Sequence, residues 1–397
     1  MELKDTSNGL NKTIKVGFLS EQNSGWMGGI NYYKNLFIAI SKIEQPKIIP
    51  YILAPKDENA KILLNYAHPI ELKKDIKYLL TKIAAALKGK KFNKNEYLYK
   101  NIDIDLVSNT QSTEYSPAIA WIPDFQHIHL PEMFSEAEIN YRSANFKKLA
   151  EKSLLVILSS EDALNDFKKF IPEFAHKGRV LNFVAIPDEN IYKLTDEITQ
   201  KTIKKFDLSE KYFYVPNQFW IHKNHKVVLE AISILKAEGI NINVVFTGNT
   251  NDYRHANYFN DLMEFVKEKG IENNIKLLGL VDLSEVFCLM RNCISIINPS
   301  LFEGWSSTVE ESKSLGKNII LSNINVHKEQ NPPRGVYFNP YNANELADIL
   351  KDKWLNGKSG PDFDLEELAQ SQLEKRIIEF GKTYRQIVLD GLNVVKS

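Results

Sequence analysis

The sequence predicts an α/β protein built from two doubly wound domains, and three observations support this. Short apolar runs alternate with longer amphipathic stretches, which is typical of βαβ units around a parallel sheet. The chain has 397 residues, and at roughly 150 residues per domain this length suggests two large domains. The alternation of predicted strands and helices is interrupted by a polar segment at 188–210 and then resumes.

The apolar runs give the predicted elements in order. In the first half, strands are expected at residues 14–19, 47–53, 118–122, 154–159 and 180–186, with a helix at 31–43. In the second half, they are expected at 212–215, 242–247, 275–280, 294–298 and 319–322, with a helix at 225–238. The tail at 365–395 is predicted to be helical. The predicted domains are therefore 1–205 and 206–372, and the last segment, 373–397, is expected to return to the first domain.

Charge and cysteine content exclude several classes of protein. The chain has 50 Lys and Arg against 50 Asp and Glu, and this balance disfavours a nucleic-acid binder, which usually carries a basic excess. Its two cysteines, Cys288 and Cys293, are compatible with a reducing compartment. The amino terminus has no apolar signal region, and no apolar run approaches the roughly 20 residues of a bilayer span. These features predict a cytoplasmic enzyme.

One segment departs from the overall charge balance. Residues 71–100 contain nine lysines and three acidic residues, mixed with aliphatic side chains. Two interpretations stay open at this point. The segment is either an ordinary solvated helix face, or a surface for an anionic lipid or a lipid-linked substrate. The second interpretation would place the protein at the periphery of the inner membrane face.

The segment 298–320 carries the strongest indication of chemistry. A strand ends, Glu303 follows in a loop, a helix is predicted to begin near Ser306 or Ser307, and Glu311 lies about one turn inside it. This order puts two carboxylates and a helix start at the carboxyl end of a parallel strand, where open α/β sheets bind ligands. A helix start binds phosphate through its unpaired N–H groups, and a carboxylate can accept hydrogen bonds from a ribose diol. On spacing alone, Glu311 could equally be an ordinary surface residue.

This segment resembles the E-x7-E region of the retaining glycosyltransferases of family 4, which have the GT-B fold. The family pattern is Glu, Gly, an aromatic residue, small residues, Glu, and Gly before a strand, and it is matched here by Glu303, Gly304, Trp305, Glu311 and Gly316. The resemblance implies that Glu303 contacts the donor sugar and that Glu311 holds the ribose. It also implies that sugar and diphosphate are held by the backbone amides of Trp305, Ser306, Ser307, Thr308 and Val309. A neighbouring acid, Glu310, could share or take over the role of Glu311.

The loop after the first strand of the second half resembles the same family. Family members have an arginine and then a lysine here, which neutralise the donor diphosphate. Lys223 matches the lysine, whereas the arginine position is occupied by the neutral Gln218. Departure of a nucleoside diphosphate needs charge compensation, and an amide supplies only a neutral hydrogen bond. His222, His225 and Arg254 are the candidates for the missing charge.

A glycine pair follows the first predicted strand of the chain. Gly28 and Gly29 lie in the sequence GWMGGI, where glycine lets the backbone approach a phosphate closely. Without a ligand, the same pair is simply a tight turn. The resemblance implies that this Gly-Gly loop faces the donor diphosphate and the acceptor.

Polar residues also follow the predicted strand at 118–122. Asp124 matches an acid that the family often has at this point, and the preceding family histidine is replaced by Pro123. His127, three residues further on, could take the place of that histidine. The alternative for His127 is a purely structural role.

These motifs together predict a retaining hexosyltransferase of the GT-B type, with its two domains facing a central cleft. It would move a sugar from a nucleotide-diphosphate sugar to a saccharide or lipid-linked acceptor, in surface polysaccharide or lipopolysaccharide biosynthesis. No cofactor and no metal are expected, and the Asp-x-Asp sequence at 103–105 is interpreted as one face of an exposed strand. The alternatives are a GT-B-fold nucleotide-sugar epimerase and a non-catalytic two-lobed sugar-binding protein.

The predicted site residues form two groups. The catalytic group is Glu303, Lys223, Asp124 and His127. The donor-binding group is Gly28, Gly29, Gln218, Lys223, Gly304, Trp305, Ser306, Ser307, Thr308 and Glu311.

Overall fold

The chain forms two compact units in a computed structural model that describes residues 13–19, 27–53, 58–70, 76–90, 92, 97, 103–113, 117–193, 196–252 and 254–396. Unit 1 comprises 1–124, 140–183 and 376–397, and unit 2 comprises 125–139 and 184–375.

Each unit is organised around one parallel sheet. In unit 1 the strand order is β3-β2-β1-β4-β5-β6-β7. These strands are β1 (Ile14–Leu19), β2 (Ile48–Leu53), β3 (His68–Ile70), β4 (Leu106–Thr110), β5 (Ala118–Ile122), β6 (Leu155–Leu158) and β7 (Gly178–Val180). In unit 2 the order is β10-β9-β8-β11-β12-β13. These are β8 (Phe213–Val215), β9 (Val244–Phe246), β10 (Ile275–Leu277), β11 (Ile296–Asn298), β12 (Ile319–Ser322) and β13 (Val336–Phe338).

Helices lie in most of the connections between these strands, and two more follow the last strand. Those up to residue 205 are α1 (Met27–Ser41), α2 (Glu58–Leu63), α3 (Ile76–Leu87), α4 (Gln126–His129), α5 (Glu136–Lys152), α6 (Glu161–Phe170) and α7 (Asp196–Lys205). The others are α8 (His225–Ala237), α9 (Tyr258–Glu268), α10 (Leu283–Asn292), α11 (Ser307–Leu315), α12 (Asn325–Gln330), α13 (Ala343–Asn356) and α14 (Phe363–Lys396).

The central strands are buried on both faces, which explains why they read as continuous apolar runs. All residues of β5, β6, β8, β9 and β11 are buried. The helix termini follow local signals: Ser160 accepts a hydrogen bond from the N–H of Ala163 and caps α6. Asp282 and Glu285 form a capping box at the start of α10.

The division between the units lies at Phe183 and Val184, whereas the sequence predicts a boundary near residue 205. The intervening segment is polar in composition, but Ile191 packs in the unit 2 core with Tyr212 and Phe287. A few apolar side chains therefore place this polar segment in unit 2. The long helix α14 begins in unit 2, and its residues from Arg376 onward belong to unit 1.

Further local details differ from the sequence prediction. The strand expected at 180–186 ends at Val180, and β3 and β13 were not expected. Asp103 and Asp105 precede β4 instead of forming one face of it. Asp103 forms an ion pair with Lys15, and the carboxylate of Asp105 accepts a hydrogen bond of 2.8 Å from the backbone N–H of Lys15.

Candidate functional site

The candidate site lies at the carboxyl edge of the unit 2 sheet. The chain runs outward from β8 to β9 and β10 on one side, and from β11 to β12 and β13 on the other. The loops after β8 and β11 therefore leave the sheet at the point where the strand order reverses. Open α/β sheets bind ligands in the crevice at such a point.

Lys223 and Glu303 form an ion pair at this edge. Lys223 Nζ lies 2.6 Å from Glu303 Oε1, and the two side chains are only 15% and 9% exposed. The hydroxyl of Ser300 lies 2.7 Å from the same oxygen. Burial alone would raise the pKa of Glu303, but the charge of Lys223 and the two hydrogen bonds outweigh burial and lower it. Two residues singled out separately in the sequence are thus in direct contact across 80 positions.

Helix α11 begins beside this pair, as the sequence predicts. Ser306 is its N-cap, with the side chain accepting from the N–H of Val309, and Gly316 closes the helix in the left-handed conformation at φ 68°. The N–H of Ser306 is itself bonded to Gln330 Oε1 at 3.2 Å. Of the five amides implied by the resemblance, those of Ser306 and Val309 are therefore engaged within the protein. The amides of Ser307 and Thr308 are in the first helical turn, where N–H groups have no partner within a helix.

Asn298, the last residue of β11, connects the two loops. Its Nδ2 donates to Ser306 Oγ at 2.7 Å, and its Oδ1 accepts from Asn217 Nδ2 at 3.3 Å. Asn217 Oδ1 accepts in turn from the hydroxyl of Thr308 at 3.2 Å. A chain of neutral hydrogen bonds thus joins the β8 loop, the end of β11 and the first turn of α11.

Two residues of α12 complete the site and were missed in the sequence. His327 is fully buried, with Nδ1 2.8 Å from the carbonyl oxygen of Ser322 and Nε2 3.3 Å from Asn298 Nδ2. Burial lowers the pKa of His327 to about 4, so the ring is neutral at physiological pH. Gln330 donates from Nε2 to the carbonyl of Ser306 at 2.9 Å. Neither residue belongs to a recognisable motif. They are identified only because the fold brings them close to Asn298 and Ser306.

The two adjacent acids of α11 have different surroundings. Glu310 is 1% exposed, and its Oε1 accepts from Gln330 Nε2 at 3.1 Å and from Lys313 Nζ at 3.2 Å. Glu311 is half-buried. Burial raises the pKa of Glu311 to about 8, against the opposing charge of Lys223. Glu310 therefore has a structural role, which leaves Glu311 as the acid available to a ligand.

Gln218 is tied to the neighbouring loop. Its Oε1 accepts from the N–H of Asn249 at 2.6 Å, and the N–H of Phe219 donates to the carbonyl of Asn249 at 2.9 Å. Gly248, at φ 137°, lies against this loop so closely that a side chain there would meet the backbone of Asn217. The carbonyl end of Gln218 is thus used for structure, and its role in donor binding stays a prediction.

The histidines do not supply the charge that is missing at Gln218. Burial lowers the pKa of His225 to about 3 and lowers that of His222 well below its usual value. Both rings are therefore neutral at physiological pH. His225 stacks on Phe219, with ring centroids 4.2 Å apart, which is a packing role.

Arg254 keeps its charge, but that charge is already balanced. Its Nε lies 3.1 Å from Asp252 Oδ1. Its guanidinium lies over the rings of Phe134 and Trp220, at 5.3 and 5.7 Å from their centroids. A guanidinium stays protonated in proteins. Of the three candidates, Arg254 is thus the remaining cation, next to the same loop as Gln218.

Four predicted residues belong to other segments of the chain. Gly28 and Gly29 are in the first turn of α1, which begins at Met27 instead of the expected residue 31; the preceding residues 20–26 are outside the described residues. Asp124 is half-buried in the loop after β5, in unit 1. His127 belongs to unit 2 and is 1% exposed, with Phe125 and Phe134 as ring neighbours. Their catalytic and donor-binding roles stay predictions.

No metal centre is evident in the part of the chain that the structure describes. Within it, no group of three or more His, Cys, Asp or Glu side chains is arranged to hold a metal ion. The expectation that catalysis needs no metal stays a prediction.

Comparison with known proteins agrees with this geometry. Residues 196–369 match the glycosyl transferases group 1 family. The matched region contains Lys223, Glu303 and Glu311. Protein CapJ of Staphylococcus aureus is 25% identical over 209 residues, which is 49% of this chain and 51% of CapJ. The chain thus spans about half the length of this curated relative.

Solved structures resemble the chain over nearly its whole length. HepE of Anabaena, solved in complex with UDP and glucose, has a TM-score of 0.66 at 17% identity, covering 94% of this chain and 99% of its own. A glycosyltransferase of Rickettsia africae has a TM-score of 0.67 at 17% identity, covering 97% of this chain and 100% of its own. Together with the two parallel sheets, these likenesses confirm the predicted GT-B fold.

Proposed function

We propose that the protein is a retaining glycosyltransferase that takes its sugar from a nucleotide-diphosphate sugar. The observation that carries this proposal is the buried Lys223–Glu303 pair next to the first turn of α11. It brings together a cation for a diphosphate, a carboxylate for sugar hydroxyls and free helical amides for phosphate oxygens. The match of residues 196–369 to the group 1 glycosyltransferases supports the same assignment.

The ion pair explains how the site stays charge-balanced before the donor binds. A carboxylate and an ammonium buried singly would each be costly, whereas as a pair they compensate each other. When a donor enters, the diphosphate takes Lys223 as its partner, and the amides of Ser307 and Thr308 bind phosphate oxygens. Glu303, released from Lys223, accepts hydrogen bonds from the sugar hydroxyls. The Ser300 hydroxyl, 2.7 Å from Glu303, keeps the carboxylate oriented during this exchange.

The transfer step proceeds by displacement on one face of the sugar. The bond between the anomeric carbon and the diphosphate oxygen breaks, and a bond forms between that carbon and the acceptor oxygen. The departing diphosphate oxygen takes the acceptor proton, and the anomeric configuration is retained. Lys223 and the α11 amides stabilise the charge that develops on the leaving group, which is the largest kind of contribution in such sites. Because these groups supply positive charge, the proposed step requires no metal.

The acceptor in this proposal is a saccharide or a lipid-linked saccharide, and the product belongs to surface polysaccharide or lipopolysaccharide biosynthesis. Asp124 and His127 are the residues we assign to the acceptor and the sugar. The resemblance to the family 4 enzymes supports these assignments.

The experiment that tests the proposal measures consumption of UDP and GDP sugars by the purified chain and by two matched variants. Glu303→Gln keeps the size of the side chain and should lower turnover by at least about 10²-fold, because a neutral amide replaces the carboxylate. Glu264→Gln is the control, since Glu264 is an exposed acid of unit 2 on α9. Full turnover in Glu303→Gln would refute the site. NMR of the product gives the anomeric configuration and so tests whether the transfer is retaining. Sugar interconversion without an acceptor would instead identify an epimerase.

A further inference from the structure

Helix α3 exposes its apolar face, unlike an ordinary surface helix. Such a helix normally buries its apolar stripe against the core and shows its polar face to water. In α3 no residue is buried, and ten of its twelve residues are exposed. The two exceptions, Tyr78 and Ala85, are half-buried.

The exposed side of α3 is a continuous apolar stripe. Its members recur at intervals of three and four residues, so they lie on one face of the helix. Each is between 52% and 83% exposed, and together they are Ile76, Leu79, Leu80, Ile83 and Leu87. Tyr78 points the other way and holds the helix to the protein through Phe92 and Tyr97, at ring-centroid distances of 5.0 and 5.2 Å.

Positive charge flanks this stripe. On a helical projection Lys77 and Lys82 fall on opposite sides of the apolar face, and Lys88 and Lys90 follow its carboxyl end. Residues 76–90 contain these four lysines and no acidic residue, although the whole chain has a net charge of zero. All four side chains are exposed. The local charge is thus concentrated where the apolar stripe meets water.

We infer that α3 lies flat on an anionic membrane surface, with its apolar stripe in the headgroup boundary and its lysines on anionic lipid headgroups. Long lysine side chains reach the headgroups from the flanks of an embedded helix. The lysine charge favours an anionic membrane over a second copy of the chain as the partner of the stripe, because two copies would bring like charges together. The helix lies on the bilayer and does not cross it: none of the helices in the described ranges combines the length and apolarity of a membrane span. This inference does not depend on the proposed transferase activity.

The test is flotation of the full chain with phosphatidylcholine vesicles, with and without 30 mol% phosphatidylglycerol, a composition at which a lysine cluster is strongly attracted. We expect binding to the anionic vesicles only, and weakening of this binding as salt is raised. The double variant Leu80→Ser/Ile83→Ser should lose at least about tenfold in vesicle affinity. Lys77→Ala/Lys82→Ala should lose roughly fivefold per charge.

Matched control variants distinguish binding through α3 from nonspecific adsorption of the protein to vesicles. Leu280→Ser removes an apolar side chain that is 71% exposed in unit 2, and Lys328→Ala removes an exposed lysine of α12; both should float like the parent. All variants should keep the parent melting temperature, because every changed side chain is exposed. Equal binding by Leu80→Ser/Ile83→Ser, or no binding to anionic vesicles, would overturn the inference. Concentration-dependent self-association in sedimentation, lost in that variant and without vesicle binding, would assign the stripe to a second copy and overturn it too.

Discussion

The carboxyl edges of the two sheets hold polar clusters of different chemistry. In unit 2 the cluster is centred on the Lys223–Glu303 ion pair. In unit 1 it is centred on Asn109 at φ 52°, whose Nδ2 donates to the hydroxyl of Tyr32 at 2.6 Å and whose Oδ1 accepts from Ser108 at 2.9 Å. Tyr32 stacks on Trp121, with ring centroids 4.6 Å apart.

The difference between these clusters indicates different tasks. Neutral hydrogen bonds that are fully satisfied make a buried region rigid and give it a single arrangement. An ion pair can exchange one partner for a charged ligand, because the ligand replaces the lost charge. The unit 2 edge is thus suited to binding a charged donor, whereas the Asn109 cluster is suited to fixing the backbone at the end of β4.

Among the further changes that test this comparison, removal of Lys223 should have the largest effect. Lys223→Met should lower turnover by about 10²-fold, because the leaving diphosphate loses its cation. It should also lower the melting temperature, since Glu303 is left buried without its partner. The same change at the exposed Lys328 is the control.

A double variant separates the catalytic effect of Lys223 from its effect on stability. Lys223→Met/Glu303→Gln removes both charges and should regain most of the lost stability, while turnover stays at least as low as in Lys223→Met. Thermal unfolding and donor consumption measure the two properties. A double variant with restored turnover would show that the pair has only a structural role.

A smaller effect is expected from the titration of Glu311. Its pKa in the folded protein is about 8, above the ordinary value of 4.5. Between these values the folded state holds a proton that the unfolded state has released, so the free energy of unfolding falls as the pH rises through this window. The fall is at most about 1.4 kcal/mol per pH unit, and partial exposure reduces it.

Chemical unfolding of the parent and of Glu311→Gln between pH 5 and pH 9 measures this effect. The variant should show a flatter profile, because an amide does not titrate. Identical slopes in both proteins would mean that Glu311 is ionised in the folded state throughout this range, and would contradict the raised pKa.

The smallest effect on activity is expected at the unit 1 edge. Asn109→Gly keeps the left-handed backbone accessible but removes the side-chain hydrogen bonds, which should cost about 1–2 kcal/mol of stability. Asn109→Ala should cost about 1 kcal/mol more, because an L-residue is strained at positive φ. Donor affinity, measured by calorimetry, should stay unchanged in both variants. A loss of donor affinity in these variants would show that the unit 1 edge also contributes to donor binding, and would contradict the comparison.

Much of the fold and part of the site follow from local sequence signals. A start of α11 near Ser306 or Ser307 and an end at Gly316 were predicted because caps depend on near neighbours, and the structure places the cap at Ser306. The strand at 319–322 was predicted because a buried parallel strand is a continuous apolar run.

The parts that were missed depend on contacts between distant residues. The contact of Lys223 with Glu303 spans 80 positions, and the bond of Gln330 to Ser306 spans 24. The burial that makes His222 and His225 neutral is likewise set by packing and not by the loop sequence. Strand β13 has three residues, of which only Phe338 is buried, so it gives little apolar signal.

A crystal structure of the chain with a bound nucleotide-diphosphate sugar tests the central claim most directly. The account predicts that the diphosphate lies on the amides of Ser307 and Thr308, with Lys223 turned from Glu303 to a phosphate oxygen. The carboxylate of Glu303 should then lie within hydrogen-bond distance of the sugar hydroxyls. A donor bound elsewhere, with the Lys223–Glu303 pair still intact, would contradict it.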